Sequence, residues 1–298
     1  MASFPPPPPP LEVLRDAAHR ALAEDVGPGD ITTTVFIPEG AQAKARIFCK
    51  ETCALAGLPV AEQVFIEVDR SLVLAENTID GSCLEKGAAV LLVEGSLRSI
   101  LTAERAALNY LQHLSGIATV TRRFADATAG TKARILDTRK TTPGLRVLEK
   151  YAVACGGGLN HRIGLYDQFL VKDNHLAWWS GTEGDIEGKA LPKAKLAEAV
   201  ARARAHAPGV LLEFEADTLE QVALLAELGV DRILLDNMDE ETMTKAVSLV
   251  AGRCELEASG NMTLARIPAV ARTGVDYISV GALTHSAPAI DFSLEVLG

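Results

Sequence analysis

Short apolar runs recur through the second half of the chain, and this repeat limits the fold more than any other feature. The last four runs begin at Val210, Arg232, Glu255 and Tyr277, about 22 residues apart. That spacing accommodates one strand, one helix and two short loops. Repeated strand–helix units imply parallel strands covered by helices.

Two earlier runs, residues 134–138 and 168–172, bring the number of such units to about six. Six units predict either a doubly wound sheet or an incomplete α/β barrel. No G-x-G-x-x-G sequence follows a run, and this absence favours the barrel over a dinucleotide-binding sheet. We therefore predict an open α/β barrel of parallel strands as the C-terminal domain, residues 129–285.

The first part of the chain has a different pattern. Helices are predicted over 11–24, 59–69 and 99–127, and short β-like runs separated by glycines occupy much of 35–98. This pattern predicts a small α+β domain over residues 1–128, which residues 286–298 join. Six consecutive prolines at 5–10 predict a short polyproline II tail.

Charge and composition argue against several classes of protein. The 298 residues include 29 Lys and Arg against 39 Asp and Glu, a net charge of −10, which disfavours nucleic acid and anionic membranes as partners. No apolar run is long enough to span a bilayer, and the N-terminus lacks a signal-peptide pattern. The five cysteines are odd in number and scattered, which favours the reducing cytoplasm.

The apolar runs end in polar residues or glycine. In a parallel α/β barrel the carboxyl ends of the strands share one face, and that face carries the active site. We therefore expect six separate segments to deliver side chains to one site. The segments are Asp137–Lys140, Lys172–Asn174, Glu215, Asp236–Asn237, Ser259–Asn261 and Val280–Ala282.

Basic residues are concentrated between residues 139 and 172, where six Lys and Arg face only two acids. A basic segment in an acidic chain is well explained by an anionic ligand, because Arg offers bidentate contacts and Lys a point charge. Arg146 and Lys150 flank Glu149 and are expected to pair on a helix face. The expected ligand contacts are Arg139, Lys140, His161, Arg162 and Lys172.

Acidic residues end two successive predicted strands. Asp236 ends one, and either Glu213 or Glu215 serves in the other, because strand alternation alone does not choose between them. Two such carboxylates can share one Mg²⁺. The segments ASGNMT and SVGALTH each place small residues just before a predicted helix, where backbone N–H groups bind phosphate. Together these features suggest a phosphorylated substrate with a metal.

Six motifs occur in order along the chain. They are LDTRKTTPG (136–144), ACGGGLNHRIGLYDQFLVKDNH (154–175), EFEADTLEQV (213–222), ILLDNM (233–238), LEASGN (256–261) and DYISVGALTHS (276–286). With EDVGPGDIT (24–32) and TAERAALNYLQHLSGIAT (102–119), they resemble the quinolinate phosphoribosyltransferase family. The likeness covers nearly the whole chain, except the proline tail and residues 177–192.

The resemblance implies an N-terminal α/β sandwich and an open α/β barrel. It also implies a cytoplasmic homodimer that, with Mg²⁺, converts quinolinate and phosphoribosyl pyrophosphate to nicotinate mononucleotide, CO₂ and pyrophosphate in NAD synthesis. Arg139, His161, Arg162 and Lys172 would hold the quinolinate carboxylates, with Thr138 and Lys140 nearby. Arg105 would reach into the partner subunit's site.

The same resemblance assigns the second substrate. Glu215, chosen over Glu213 by the family motif, and Asp236 would lie by the ribose and the metal, directly or through water or substrate. Lys140, Lys172, Glu215 and Asp236 form the expected catalytic set. The residues expected at the phosphate are Ser259, Gly260, Asn261, Val280, Gly281 and Ala282.

Three alternatives stay open at this point. The first is a related phosphoribosyltransferase that takes a different heterocyclic acid. The second is a barrel aldolase with Lys172 as the Schiff base, which predicts a lysine in an apolar pocket. The third is a regulator that keeps the fold and binds the ligand without catalysis, although both acids and the basic set are retained.

Overall fold

The computed structural model describes residues 5–180 and 192–297, so most of the stretch 177–192 lies outside the described residues. The chain forms two compact units. The first comprises the described residues up to Arg122, the segment Lys140–Gly158, and the residues from Ala282 onward. The second comprises Arg123–Arg139 and Leu159–Gly281. The predicted domains differ from these units chiefly in residues 140–158, and their boundaries stay a prediction.

The elements follow one another along the described residues. The helices are α1 (Leu11–Asp25), α2 (Ile31–Phe36), α3 (Leu58–Val68), α4 (Leu97–Asp126), α5 (Arg146–Cys155), α6 (Asp173–Ser180), α7 (Lys193–His206), α8 (Leu219–Glu227), α9 (Glu240–Val250), α10 (Ile267–Arg272) and α11 (Ala282–His285). The strands are β1 (Gln42–Cys49), β2 (Cys53–Ala54), β3 (Val73–Glu76), β4 (Cys83–Leu84), β5 (Ala89–Ser96), β6 (Arg134–Leu136), β7 (Phe169–Val171), β8 (Leu212–Ala216), β9 (Arg232–Asp236), β10 (Glu255–Ser259), β11 (Tyr277–Ser279) and β12 (Phe292–Leu297). None of the described helices is long and apolar enough to cross a membrane.

The first unit is built on a four-stranded antiparallel sheet in the order β12-β1-β5-β3. Alternate residues of β1, Ala45, Ile47 and Cys49, are fully buried, because successive side chains of a strand point to opposite faces. They belong to the same apolar cluster as Phe65 of α3. The start of α3 is fixed by Asp80, whose carboxylate accepts the first free backbone N–H groups of that helix.

The second unit is built on a six-stranded parallel sheet in the order β6-β11-β10-β9-β8-β7. The predicted α/β fold with parallel strands is confirmed, and each of the six apolar runs contains one strand. Within the described residues the sheet is open, because β6 and β7 lie at its two edges. Two of the strands also carry buried acids, Glu213 on β8 and Glu257 on β10.

One run is shorter as a strand than its sequence suggested. The apolar run 277–283 gives a strand only over Tyr277–Ser279, and α11 begins at Ala282. The backbone N–H of Val280 still donates to the carbonyl of Leu136, at 3.0 Å, which marks the end of the ladder. The small residues Gly281 and Ala282 then form the transition into the short helix.

Candidate active site

The carboxyl ends of the parallel strands lie along one edge of the second unit's sheet. Ser259, the last residue of β10, is in register with Asp236, the last residue of β9. Ser279 of β11 is in register with Leu136 of β6, directly before the buried Asp137. Polar residues that are far apart in sequence are thereby brought to the same edge, as in other parallel α/β proteins with active sites.

Three carboxylates form a cluster at this edge. One carboxylate oxygen each from Glu215, Asp217 and Asp236 lies within 4.8 Å of the others. Acids so close repel one another unless a cation neutralises them, and carboxylate oxygens are the ligands that Mg²⁺ prefers. The expected metal residues Glu215 and Asp236 therefore lie together, and Asp217 joins them.

Asp217 was not predicted. It follows Glu215 by two residues, so the alternation that placed Glu215 on this face also brings Asp217 there. Its backbone N–H donates to Oε1 of Gln221, at 2.7 Å, within the capping box that begins α8. The start of the helix therefore fixes the backbone that carries this acid.

Lys172 joins the carboxylate cluster to the basic residues. Its Nζ lies 3.0 Å from Oε2 of Glu215. The lysine side chain is 47% exposed and that of Glu215 only 10%, so the ammonium group reaches solvent while its partner is largely enclosed. This accessible ion pair differs from the apolar pocket expected of a Schiff-base lysine.

Arg139 and Arg162 lie near one another in the second unit. Burial lowers the pKa of Arg162, and the positive charge of Arg139 lowers it further. Two guanidinium groups that repel in this way make a favourable place for a small anion. Thr138 lies just before Arg139 and is partly buried.

A buried polar cluster lies one step toward the amino ends of the strands. Nε2 of His161 is 3.0 Å from Oε2 of Glu213 on β8 and 3.4 Å from Oε2 of Glu257 on β10. Arg232 on β9 contacts the same Oε2 of Glu257 at 3.5 Å, and its guanidinium stacks on the ring of Tyr277. The arginine supplies a positive charge beside two buried acids.

The three titratable groups of this cluster shift one another's pKa. Burial lowers the pKa of His161, but the hydrogen bonds to Glu213 and Glu257 outweigh it and raise the value to about 9. Burial, with the charge of Glu257, raises the pKa of Glu213 to about 7. Burial also opposes the charge of Glu257, yet its hydrogen bond with His161 brings that pKa below the usual value. Near pH 7 the cluster thus keeps more bound protons than the same residues in the unfolded chain.

Both ring nitrogens of His161 contact protein groups. The backbone nitrogen of Arg162 lies 2.8 Å from Nδ1, and Nε2 faces the two acids. The imidazole side chain is 7% exposed. His161 was expected to hold a substrate carboxylate, whereas these contacts direct its ring to the buried acids.

The loop Ser259–Asn261 requires glycine at its centre. Gly260 has φ of 93°, and a Cβ there would lie 2.1 Å from Oδ1 of Asn237. Asn237 and Asn261 also have positive φ, near 50°, which Asn tolerates better than most residues. The loop therefore packs closely against the residue that follows Asp236.

The expected helix directly after this loop was wrong. The next helix, α10, begins only at Ile267, where Pro268 suits the first turn. Residues between Asn261 and Ile267 form turns, held by Arg266, whose Nη1 donates to the carbonyl of Gly260 at 3.1 Å. A helix N-terminus is therefore not adjacent to Ser259–Asn261. By contrast Gly281 does directly precede α11.

The chain matches the models of a known protein family. The family model described as "Quinolinate phosphoribosyl transferase, N-terminal domain" matches residues 30–115, and the corresponding C-terminal domain model matches residues 117–295. The chain belongs to the quinolinate phosphoribosyltransferase family. The resemblance seen in the sequence motifs is thereby confirmed.

Members of the quinolinate phosphoribosyltransferase family match this chain over nearly its full length. The nicotinate-nucleotide pyrophosphorylase (carboxylating) of Mycobacterium leprae is 43% identical, over 96% of this chain and 98% of the relative. The chloroplastic protein of the same name from Oryza sativa is 40% identical, over 98% of this chain and 80% of the relative. The crystal structure of NadC from Streptococcus pyogenes is 41% identical, with a TM-score of 0.89 over 98% of this chain and all of that one.

Three of the site residues expected from the sequence belong to the first unit. Arg105 lies on α4, where its guanidinium is 56% exposed and 3.9 Å from the neighbouring Glu104. Lys140 is exposed, and its carbonyl accepts the hydroxyl of Thr284 at 2.7 Å. Ala282 is the first residue of α11. Lys150, expected to pair on a helix face, is buried, as is its neighbour Glu149.

Proposed function

We propose that the protein transfers the phosphoribosyl group of phosphoribosyl pyrophosphate to quinolinate. The reaction releases pyrophosphate and CO₂ and gives nicotinate mononucleotide for NAD synthesis. One observation carries this proposal: the contact of Lys172 with Glu215 joins the basic residues to the carboxylate cluster at one edge of a parallel sheet. Membership of the family supports the same reaction.

The charges of the two substrates fit these two groups of residues. Quinolinate is a dicarboxylate, and Arg139, Arg162 and Lys172 supply the cations that bind it. His161 belongs to this part of the site through its contact with Arg162. Thr138 and Lys140 complete the proposed quinolinate site.

The phosphoribosyl part of the site lies on the neighbouring strands. Glu215 and Asp236 stand by the ribose and the metal. The backbone and small side chains that follow β10 and β11 bind the phosphate. The proposed phosphate residues are Ser259, Gly260, Asn261, Val280, Gly281 and Ala282.

The chemistry needs positioning and electrostatics, and no covalent intermediate with the enzyme. Loss of pyrophosphate leaves positive charge at C1 of the ribose, which the carboxylates of Glu215 and Asp236 stabilise. The pyridine nitrogen attacks C1 and becomes cationic. This ring charge supports the carbanion left when the adjacent carboxylate departs as CO₂, and the carbanion then takes up a proton from water to give nicotinate mononucleotide. Arg139, Arg162 and Lys172 hold the ring so that its nitrogen faces C1.

Mg²⁺ is part of this proposal, and the residues present fit it. Glu215, Asp217 and Asp236 would hold the ion, directly or through water, because three carboxylates converge within ligand range of one another. When bound, Mg²⁺ neutralises charge on the pyrophosphate leaving group. Lys172 exchanges its contact with Glu215 for a substrate carboxylate when quinolinate binds.

We further propose a cytoplasmic homodimer in which Arg105 completes the partner's site. The first unit has exposed apolar side chains on α2: Ile31, Val35 and Phe36 are at least 73% exposed. Thr102 of α4 donates to Asp30, the residue that caps α2, and Arg105 lies one turn further along α4 on the same face. An apolar patch beside an available arginine suits a contact with a second copy.

The decisive experiment supplies quinolinate labelled with ¹⁴C in the carboxylate next to the ring nitrogen, phosphoribosyl pyrophosphate and Mg²⁺. We expect release of labelled CO₂ that depends on phosphoribosyl pyrophosphate. Nicotinate, which has one carboxylate, is the matched competitor and should give no more than a trace of nucleotide. Turnover of nicotinate at the rate of quinolinate would instead identify the neighbouring phosphoribosyltransferase. Borohydride trapping of Lys172 with a carbonyl substrate would identify the aldolase.

A further inference from the structure

One buried carboxylate oxygen holds both ends of the loop that carries Arg162. We call residues 161–168 the Arg162 loop. Oε2 of Glu213 lies 3.0 Å from Nε2 of His161, the first residue of the loop. The same oxygen accepts a hydrogen bond of 2.5 Å from Nε2 of Gln168, its last residue. Glu213 thus closes the loop from within the sheet.

Both anchor residues also contact Arg162 itself. The backbone N–H of Arg162 donates to Nδ1 of His161 at 2.8 Å. At the other end, Nη1 of Arg162 donates to the backbone carbonyl of Gln168 at 3.3 Å. Each anchor therefore connects Glu213 to the arginine, one through the main chain and one through the guanidinium.

The loop is also closed internally. The carboxylate of Asp167 accepts the backbone N–H groups of Ile163 and Gly164, at 2.7 and 2.9 Å. Such short-range hydrogen bonds make the turn a coherent piece of structure. Its placement on the sheet then depends on the contacts of Gln168 and of His161, whose backbone N–H also donates to Oδ1 of the buried Asp137 at 2.8 Å.

Stability does not explain why a carboxylate occupies this position. Glu213 is fully buried, and its Oε1 has no hydrogen-bond partner among the described residues. A second acid, Glu257, approaches the same imidazole nitrogen. Buried acids with unsatisfied oxygens destabilise a fold relative to apolar side chains of similar size. A hydrogen-bond acceptor at this position, in place of an apolar side chain, therefore points to a contribution other than stability.

We propose that Glu213 is a positioning residue that sets the place of Arg162 for binding quinolinate. Glu213 does not touch the substrate; it acts through His161 and Gln168. The inference rests on the proposed function, since it concerns the quinolinate part of that site. It extends the role of β8, where Glu215 faces the phosphoribosyl group and Glu213 serves the other substrate.

The test compares Glu213→Ala, Glu213→Gln and Gln168→Ala. Binding of quinolinate alone is measured by calorimetry, and the KM for each substrate is measured by CO₂ release. Removing both acceptor contacts in Glu213→Ala should weaken quinolinate binding about tenfold or more, equivalent to about 1.4 kcal/mol. The KM for phosphoribosyl pyrophosphate should change by less than about twofold, a split that general damage to the fold would not produce.

The conservative variant Glu213→Gln distinguishes the hydrogen-bond contacts of Glu213 from its charge. Glu213→Gln keeps one oxygen that accepts from both His161 and Gln168, so it should recover most of the lost affinity. Gln168→Ala removes one anchor from the half-buried loop without disturbing the strand, and should weaken quinolinate binding about threefold to fivefold. The double variant Glu213→Ala with Gln168→Ala should be less than additive, because both changes break the same contact.

Glu255→Ala is the matched control. Glu255 is another acid on a strand of the second unit, but its partners are Arg232 and Tyr277, and its side chain does not contact the loop. The affinity of the Glu255→Ala variant for quinolinate should equal that of the unaltered protein. If Glu213→Ala does not fold, the quinolinate affinity of Gln168→Ala tests the inference by itself.

Two results would overturn the inference. One is unchanged quinolinate affinity in Gln168→Ala and in a folded Glu213→Ala. The other is an equal loss of affinity for both substrates. If the unaltered protein releases CO₂ from quinolinate, either result refutes only the positioning role of Glu213. Failure of the unaltered protein to release CO₂ would instead remove the proposed function.

Discussion

Nζ of Lys172 lies 3.0 Å from Oε2 of Glu215, so a cation of the proposed quinolinate site is paired with an acid of the proposed metal site. The pair is half open to solvent on the lysine side. An ion pair of this kind is weak enough to be exchanged when charged substrates arrive. In the proposed mechanism, each substrate therefore competes for one member of the pair.

Lys172→Ala should lower kcat/KM for quinolinate by a factor of roughly 10²–10³, because it removes a charge-assisted contact to the substrate. Arg139→Ala should lower kcat/KM for quinolinate by a similar factor. The control is Lys193→Ala, since Lys193 also forms an ion pair, with Glu227, but on an exposed surface. Steady-state CO₂ release measures all three. A rate close to that of the unaltered protein for either site variant would refute its assignment.

Asp217→Asn should weaken binding of a divalent ion about fivefold to tenfold, because one of three converging carboxylates loses its charge. Mn²⁺ is the probe, and its free concentration is measured by electron paramagnetic resonance in the absence of substrate. Asp239→Asn is the control, because Asp239 is an exposed acid whose cap of α9 an asparagine can replace. Equal Mn²⁺ affinity in both variants would exclude Asp217 from the metal site.

Arg105→Ala and Lys172→Ala should each inactivate the protein, yet mixing them should restore activity if sites are shared across a dimer. Random exchange gives half mixed dimers, each with one intact site of two, so about a quarter of full activity is expected. Exchange is verified by mass spectrometry of differently tagged subunits. Mixed dimers without activity would place Arg105 outside the partner's site.

Gly260→Ala should destabilise the protein by roughly 2 kcal/mol, because alanine is strained at this φ and its Cβ would collide with Asn237. Gly252→Ala isolates the strain alone, since Gly252 has φ of 76° and open space around the missing Cβ. Urea unfolding compares the two variants. A larger loss at Gly260, with a raised KM for phosphoribosyl pyrophosphate, is the expected result. Equal losses would show that the contact with Asn237 contributes nothing.

Glu62 should make the free energy of unfolding depend on pH. Burial and the charge of Glu76 raise the pKa of Glu62 to about 7 in the folded protein. The folded state therefore holds this proton at pH values where the unfolded chain has released it, so stability falls as pH rises from about 4.5 to about 7.

Glu62→Gln should remove this slope and stabilise the protein by about 1 kcal/mol at pH 8, a figure reduced for the partial exposure of the site. Urea unfolding at pH 5 and pH 8 measures the effect. The exposed Glu39→Gln is the control, and its pH dependence should match that of the unaltered protein. An unchanged slope in Glu62→Gln would contradict the assignment.

The sequence was sufficient for the parallel strands and for the proximity of Glu215 and Asp236. Apolar runs at a constant spacing predict strands. The carboxyl ends of parallel strands lie at one edge of the sheet, whatever side chains the strands carry. Asp217 lay within reach of the same reasoning, because it continues the alternation of Glu215. The motif resemblance supplied the choice of Glu215 over Glu213, which spacing alone left open.

Other features depend on contacts that no local pattern contains. The proposed role of Glu213 rests on His161 and Gln168, about 50 residues earlier in the chain, which both contact one of its oxygens. The late start of α10 depends on turns held by Arg266, whereas small residues before an apolar run suggested an immediate helix. The burial of Lys150 and Glu149 likewise follows from packing, whereas the sequence predicted only pairing on a helix face.

The pairing of β12 with β1 has a consequence for synthesis of the protein. Arg46 bonds to Glu295 across 249 positions of sequence, and β12 lies at the edge of the first unit's sheet. During translation one flank of β1 stays uncovered until β12, residues 292–297, has left the ribosome. A nascent chain stalled shortly before Phe292 would present that flank to other chains, so premature termination there favours aggregation.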